Sequence, residues 1–446
     1  MPFRILVALG FEVVAAVGTV VMPYLGFLFF LAWTILRPQD DRPNVAELHY
    51  PMVLLLSVLL GTVPKMAKDQ GFSILHAVRR LYLILLFFFL MFVSAVATGY
   101  TPHSSYRVNE FFVVVLTCIM LVYWGSSESR IWGIMASFVV AGLQISRDAL
   151  TRTSWMREQI GGQSFDRMNM NRLNGNFGSP NYIGLLMSVL ILICLNFLYT
   201  RYSKWLKLAA CGAIGVFFYV FLKANSRGAS LGLAAALFAF LLFQKRKAVT
   251  LAMLAIVLIG VLSFAPQAYF DRLKTIGSYQ QDVSATSRLE LWQIGMGLIR
   301  DHPLFGVGPD NFMDYAFNGP HDCYIQAAAE MGIPAAIVYC AILISGFIAG
   351  ISALRLSRKL PDGDNLSALA VAVLCLLAHI TVQGFTTGFA HREFVYFFIT
   401  CTQCTYLVAR ERTKQMALIG PAPATPFASP SRDSGKVLPP LSYGSS

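Results

Sequence analysis

The sequence predicts an all-α fold, a polytopic membrane helical bundle of about 12 transmembrane helices with a large loop on the side away from the cytoplasm. Three observations predict it. The 446 residues are 56% hydrophobic and only 13% charged, whereas a soluble domain carries about 25% charged residues. Apolar runs recur from one end of the chain to the other, and in lipid only helices and closed barrels satisfy every backbone group. The runs do not alternate in ten-residue segments, as the strands of a membrane barrel would.

In chain order, the expected spans are 5–21, 22–36, 49–63, 80–98, 110–124 and 130–147, then 181–200, 205–223, 227–243 and 248–264, and finally 332–354, 366–387 and 393–409. The first two are short and meet at Pro23, which suits a bent hairpin or a re-entrant pair. Twelve spans put Met1 inside with Arg4, and thirteen would put it outside; twelve is the preferred count. The run opening at Ile5 lacks an A-x-A cleavage site and is soon followed by another, so it reads as a retained span. The chain thus divides into N-terminal spans (1–147), a basic outer loop (148–180), central spans (181–264), a large outer loop (265–331), C-terminal spans (332–410) and a tail (411–446). Beyond 418 the tail is rich in Pro, Ser, Ala and Gly and reads as a disordered cytoplasmic segment.

Orientation follows from where short loops carry positive charge. Arg201, Lys204 and Lys207 share one side by parity with Lys245–Lys247, with Arg355, Arg358 and Lys359, and with Arg410, Arg412 and Lys414. That side is read as cytoplasmic, and Lys65, Lys68, Arg79 and Arg80 agree. The net charge of +12 is therefore an orientation signal, and no basic–aromatic motif points to nucleic acid.

Several chemistries are disfavoured. Seven of the eight cysteines lie in apolar runs and read as small packing residues; Cys401 and Cys404 form a CxxC on an expected span, without zinc-type partners. Cys323 alone falls in a loop. No HExxH, paired CxxC or carboxylate cluster lies on the outer side, and no acidic metal–nucleotide motif lies in the cytoplasmic loops. No internal repeat of the inverted-transporter kind is evident. His379, inside an apolar run, reads as a packed or hydrogen-bonded core residue.

The outer loops hold the candidate chemistry. Arg152, Arg157, Arg167 and Arg172 keep positive charge where it is normally depleted; Asp148, Glu158 and Asp166 offer the alternative of a solvated, paired face. Arg172 opens a turn-rich stretch that runs straight into a span. Arg227 begins an apolar run, and an arginine at that depth needs a partner or cavity. A phosphate suits its two-pronged fork, whereas snorkelling to the headgroup layer is the bland alternative. Ser287–Trp292 opens an amphipathic helix whose apolar side is Leu289, Trp292, Ile294, Met296, Leu298 and Ile299, and Pro303 ends it. Arg288 on it either pairs with Glu290 or faces a ligand, and His302 reads as a turn residue. His321 precedes a helix entering the membrane, where a neutral imidazole can act as general base toward a hydroxyl. His391, Arg392 and Glu393 sit at an outer span boundary and can line a site.

RLNGNFGSPNYIG at Arg172–Gly184, NSRGASLGL at Asn225–Leu233, SRLELW at Ser287–Trp292, DHPLFGVGPDNF at Asp301–Phe312 and PHDCYIQAAAEMG at Pro320–Gly332 together resemble the O-antigen ligase and polymerase superfamily of bacterial envelopes. Ten residues separate His321 from Gly332, matching the family's H-x10-G pattern, and the resemblance spans roughly 170–400. It implies a GT-C-like helical glycosyltransferase of the bacterial inner membrane, with its site facing the periplasm. The implied donor is an undecaprenyl-diphosphate-linked glycan, and no cofactor or metal is implied. The implied acceptor is a hydroxyl on lipid A–core, on a growing glycan or on a protein, which correspond to a ligase, a polymerase and an O-glycosylation ligase. By resemblance, Arg227 and Arg288 hold the diphosphate, Arg172 supports the donor, and His321 activates the acceptor; the remaining partners are membrane lipids.

Physical chemistry gives the same assignment a rationale. Breaking a sugar–diphosphate bond develops negative charge on the leaving group, and fixed guanidinium groups in a partly dry site stabilise it. A base on the opposite face of the sugar carbon delivers the nucleophile in line and inverts the anomeric centre. A flippase or transporter of lipid-linked glycan is the alternative from another class. It calls for polar residues through the bundle, whereas the charges here collect at its two faces.

Overall fold

The computed structural model describes residues 16–36, 50–69, 72–159, 179–264 and 283–419. The expectations for residues 5–15, for Arg167 and Arg172, for the segment 265–282 and for the tail beyond 419 lie outside the described residues, as do the side chains of Arg152 and Arg157. Those described are helical, with no strand among them.

The helices are α1 (Pro23–Leu36), α2 (Tyr50–Lys68), α3 (Ile74–Arg80), α4 (Tyr82–Ala97), α5 (Pro102–Trp124), α6 (Glu128–Gln159), α7 (Pro180–Phe197), α8 (Lys204–Ala224), α9 (Arg227–Phe243) and α10 (Lys247–Phe264). α11 (Val283–Asp301), α12 (Cys323–Met331), α13 (Ile333–Ser357), α14 (Asp364–Gln383) and α15 (Glu393–Ile419) follow. By length and composition, α5, Glu128–Thr151 within α6, α7, α8, α13 and α14 are each able to cross a membrane. α1, α4, α9 and the first part of α10 are apolar but shorter. Large apolar side chains such as Phe89, Phe238 and Ile344 stand exposed on these helices, as lipid-facing residues do.

Three boundaries differ from the sequence reading. α6 runs to Gln159 rather than ending near 147; Gln144 bonds Asp148 one turn on, and the Thr151 hydroxyl bonds the Arg147 carbonyl, so local polar contacts carry the helix past its apolar run. Cys323 is not a loop residue but the buried first residue of α12. The helix after His321 is short, because α12 stops at Gly332 and α13 starts afresh.

α14 lies at the centre, packed against α7, α9, α13 and α15. Small residues allow the close approach: Gly228 and Gly232, one helical turn apart on α9, press against Thr386 and His379, and Gly184 on α7 presses against Ser226 and Ala229. This small-xxx-small spacing is the usual means of bringing membrane helices into contact, where apolar burial gives no drive. His379 is fully buried, and its Nε2 lies 3.0 Å from Ser188 Oγ, as a hydrogen-bonded core histidine.

Candidate functional site

One end of the bundle is built from the sequence motifs themselves. α8 and α9 reverse within two residues: Asn225 takes a left-handed φ of 48°, and Ser226 caps α9 by accepting from the Ala229 amide at 3.3 Å. Arg227 is therefore the first residue of α9, held at the rim by a cap rather than by a flexible loop. The Ser226 hydroxyl also donates to Asn181 Oδ1 at 2.9 Å. Asn181 belongs to the stretch that Arg172 opens, so two separate motifs are bonded to each other.

His321 is fixed by a second set of contacts. α11 ends at Asp301, ahead of Pro303, and the following turn docks backbone-to-backbone on the end of α12. Val307 N donates to Ala329 O at 2.9 Å, Gly308 N to Glu330 O at 2.8 Å, and Ile333 N to Pro303 O at 2.8 Å. Trp292 Nε1 donates to the Pro320 carbonyl at 3.0 Å, which fastens α11 to the residue before His321. The buried side of α11 is Leu291, Gly295 and Leu298, against Val307, Phe312 and Ala329. Leu289 and Met296, expected on that side, are exposed; the helix is rotated because Gly295 lets Ile325 of α12 approach closely.

His321 itself has φ +50°, a left-handed value that is uncommon away from glycine and concentrated at functional sites. Immediately after it, Asp322 caps α12, accepting from Tyr324 N at 2.8 Å and Ile325 N at 2.9 Å, and Cys323 N donates to Gly384 O at 2.8 Å. Burial, with a smaller contribution from nearby Arg288, pushes the His321 pKa down to about 4. The ring is thus neutral throughout the ordinary pH range, which leaves one nitrogen able to accept a proton.

The connection 384–392 between α14 and α15 joins the two halves. Thr386 touches Gly228, next to Arg227. Gly388 lies against the His321 amide and Gln326, and its carbonyl accepts from the Tyr182 hydroxyl. The Arg392 guanidinium stands over the Tyr182 ring, 5.2 Å from its centroid. The structure therefore brings Arg227, His321 and Arg288 to one end of the bundle.

Behind this rim lies a buried polar brace. Glu330 Oε2 is 2.5 Å from His391 Nε2 and accepts from Asp310 N at 3.1 Å. Gln326 Oε1 accepts from Ala390 N at 3.3 Å, and Arg107 Nη2 bonds Asp310 at 2.8 Å. On or next to the connection, Gln383 Oε1, Thr387 Oγ1 and His391 Nδ1 are buried without a hydrogen-bond partner among the described residues.

Sequence reasoning singled out His321, Arg227 and Arg288, and noted 391–393 only as a boundary. It missed Tyr182, Arg107 and the bracing role of Glu330. No local pattern signals these residues, because their partners lie 61 residues away for Glu330–His391 and 203 for Arg107–Asp310. Among the described residues, no group of three His, Cys, Asp or Glu side chains is placed to hold a metal ion.

Residues 212–340 match the family model described as O-antigen ligase. The matched stretch contains Arg227, Arg288, His321 and Gly332, and stops before the 384–392 connection. No curated protein matches the chain.

Proposed function

We propose that this chain, whose residues 212–340 match the O-antigen ligase family model, belongs to that superfamily and transfers a glycan from an undecaprenyl-diphosphate-linked donor to an acceptor hydroxyl on the periplasmic side of the bacterial inner membrane. The carrying observation is a neutral, conformationally fixed His321 near Arg288, with the 384–392 connection lying both against the His321 amide and against Gly228 beside Arg227. In this reading His321 takes the proton of the acceptor hydroxyl as its oxygen attacks the anomeric carbon. The bond to the diphosphate oxygen breaks on the opposite face. Arg227 and Arg288 carry the charge that develops on the leaving diphosphate, and Arg172 supports the donor. Acceptors of the three classes remain in play: lipid A–core, a growing glycan and a protein.

The test is transfer in vitro by the purified full-length protein, from a defined lipid-linked glycan to a panel of acceptors, with and without a chelator. Turnover that survives chelation supports the reading. A preparation that leaves the donor intact beside every acceptor class overturns it.

Arg392 extends the cationic rim. It is half-buried, and among the described residues it has no carboxylate at ion-pair distance; its stacking on Tyr182 holds the fork in one plane. We assign it to the donor phosphates as well. Arg392→Lys keeps the charge but loses the two-pronged geometry, so donor KM is expected to rise about tenfold, and Arg392→Ala is expected to raise it further. Equal KM in wild type and both variants would remove Arg392 from the site.

The low His321 pKa sets the pH dependence. The acid limb of kcat/KM reports the free base, so it is expected near pH 4 rather than near 6.5. A pKa lowered on folding means that the unfolded chain binds more protons between those values. Stability is therefore flat above about pH 6.5 and falls as pH drops toward 4. An acid limb at 6.5 in a pH–rate profile would show that His321 is not the base.

A further inference from the structure

A concave, charged feature lies at the opposite end of the bundle from His321. α7, α9 and α13 all start at the His321 end and finish at this one, where α14 begins. Between their ends is a cleft with apolar walls from Phe243, Leu354 and Val371 and with Lys245, Arg246 and Arg358 among its lining. Lys245 and Arg246 are exposed, and neither has a carboxylate at ion-pair distance among the described residues. Arg358 commits one N–H to the Phe243 carbonyl, and partial burial lowers its pKa from the ordinary arginine value. The acid on the lining, Asp364, is already engaged, with Arg201 Nη2 at 2.7 Å. The cleft therefore combines an apolar wall with three cations that lack anionic partners among the described residues.

We propose that this cleft binds the phosphate headgroup of an anionic membrane lipid, with the phosphate against Lys245, Arg246 and Arg358 and an acyl chain along the apolar wall. Basic pockets between membrane helices take such headgroups. The wall favours a lipid over a free anion. Leu242 and Phe238, on the same helix as Phe243, continue the exposed apolar surface away from the charged rim. Cations that serve only to orient the chain would attract anionic surfaces in general and need neither a concave site nor an apolar wall. The proposal is independent of the transfer reaction.

The experiment is native mass spectrometry of the full-length protein released from detergent micelles, titrated with phosphatidylglycerol, phosphatidylcholine or inorganic phosphate. Phosphatidylglycerol is expected to be retained, phosphatidylcholine to be lost, and inorganic phosphate to bind far more weakly. Lys245→Gln with Arg246→Gln removes two charges worth about 1 kcal/mol each near a membrane surface, an expected weakening of about 30-fold. Both residues are exposed, so the fold should survive the change. If the double variant does not fold, the wild type still decides the matter, since retention must weaken as ionic strength rises. Equal retention of the two lipids, unchanged affinity in a folded double variant, salt-independent retention, or inorganic phosphate binding as tightly as phosphatidylglycerol would each overturn the proposal.

Discussion

His321→Ala is expected to lower glycan transfer by about 10²- to 10⁴-fold, the usual contribution of a positioned general base, while the protein still inserts and folds. The expectation rests on how the histidine is held. Its backbone is fixed by neighbours on both sides: the Pro320 carbonyl under Trp292, and the Asp322 cap with the Cys323–Gly384 bond. Removing the imidazole therefore removes a chemical group and leaves the frame. Because His321 has φ +50°, His321→Asn is the better-matched control, since asparagine accepts the left-handed region more readily than alanine. Both variants should keep donor binding and lose turnover, measured by consumption of a labelled lipid-linked glycan. Retained turnover in either one would end the base assignment. Loss of donor binding alongside turnover would instead make His321 part of the phosphate-binding surface.

The helices were legible in the sequence because lipid imposes a strict rule on backbone groups. The expected span 227–243 coincides with α9, and 205–223 with α8 to within a residue at each end. Pro23 marks the start of α1 as expected. Polar contacts, not apolar periodicity, carried α6 beyond its expected end. The site was legible in part. Arg227, Arg288 and His321 announce themselves as charged or titratable residues in places where the membrane context makes them unusual. Their relation to one another was not legible, because it runs through the 384–392 connection, whose Thr386 and Gly388 are unremarkable in sequence. Glu330 shows the same limit. Its partner His391 is reached only once α13 and α14 have crossed the bundle twice.

Gly332→Ala is expected to be among the most damaging single changes available, by at least about 3 kcal/mol. Its φ of +86° and ψ of 165° lie in a region held essentially by glycine alone, at a cost of about 1–3 kcal/mol for any other residue. A Cβ there would also sit 2.2 Å from the Leu304 carbonyl oxygen and 2.9 Å from Phe305 N. These are backbone atoms, so the clash cannot be relieved by turning a side chain. Relief must lift the turn after Pro303 off α12, which breaks the Ile333–Pro303 and Gly308–Glu330 bonds and disturbs the Glu330–His391 brace behind the rim. This gives the H-x10-G spacing a physical meaning: α12 fixes the distance from the histidine to the one residue against which the turn can dock. Gly297→Ala is the control, since a Cβ on that α11 residue meets nothing within 4 Å and should stabilise the helix by about 0.5–1 kcal/mol. Thermal unfolding in a single detergent should separate the two variants in opposite directions from wild type. If Gly332→Ala melts with wild type, the turn after Pro303 is not docked on α12, and the frame that holds His321 must be built otherwise.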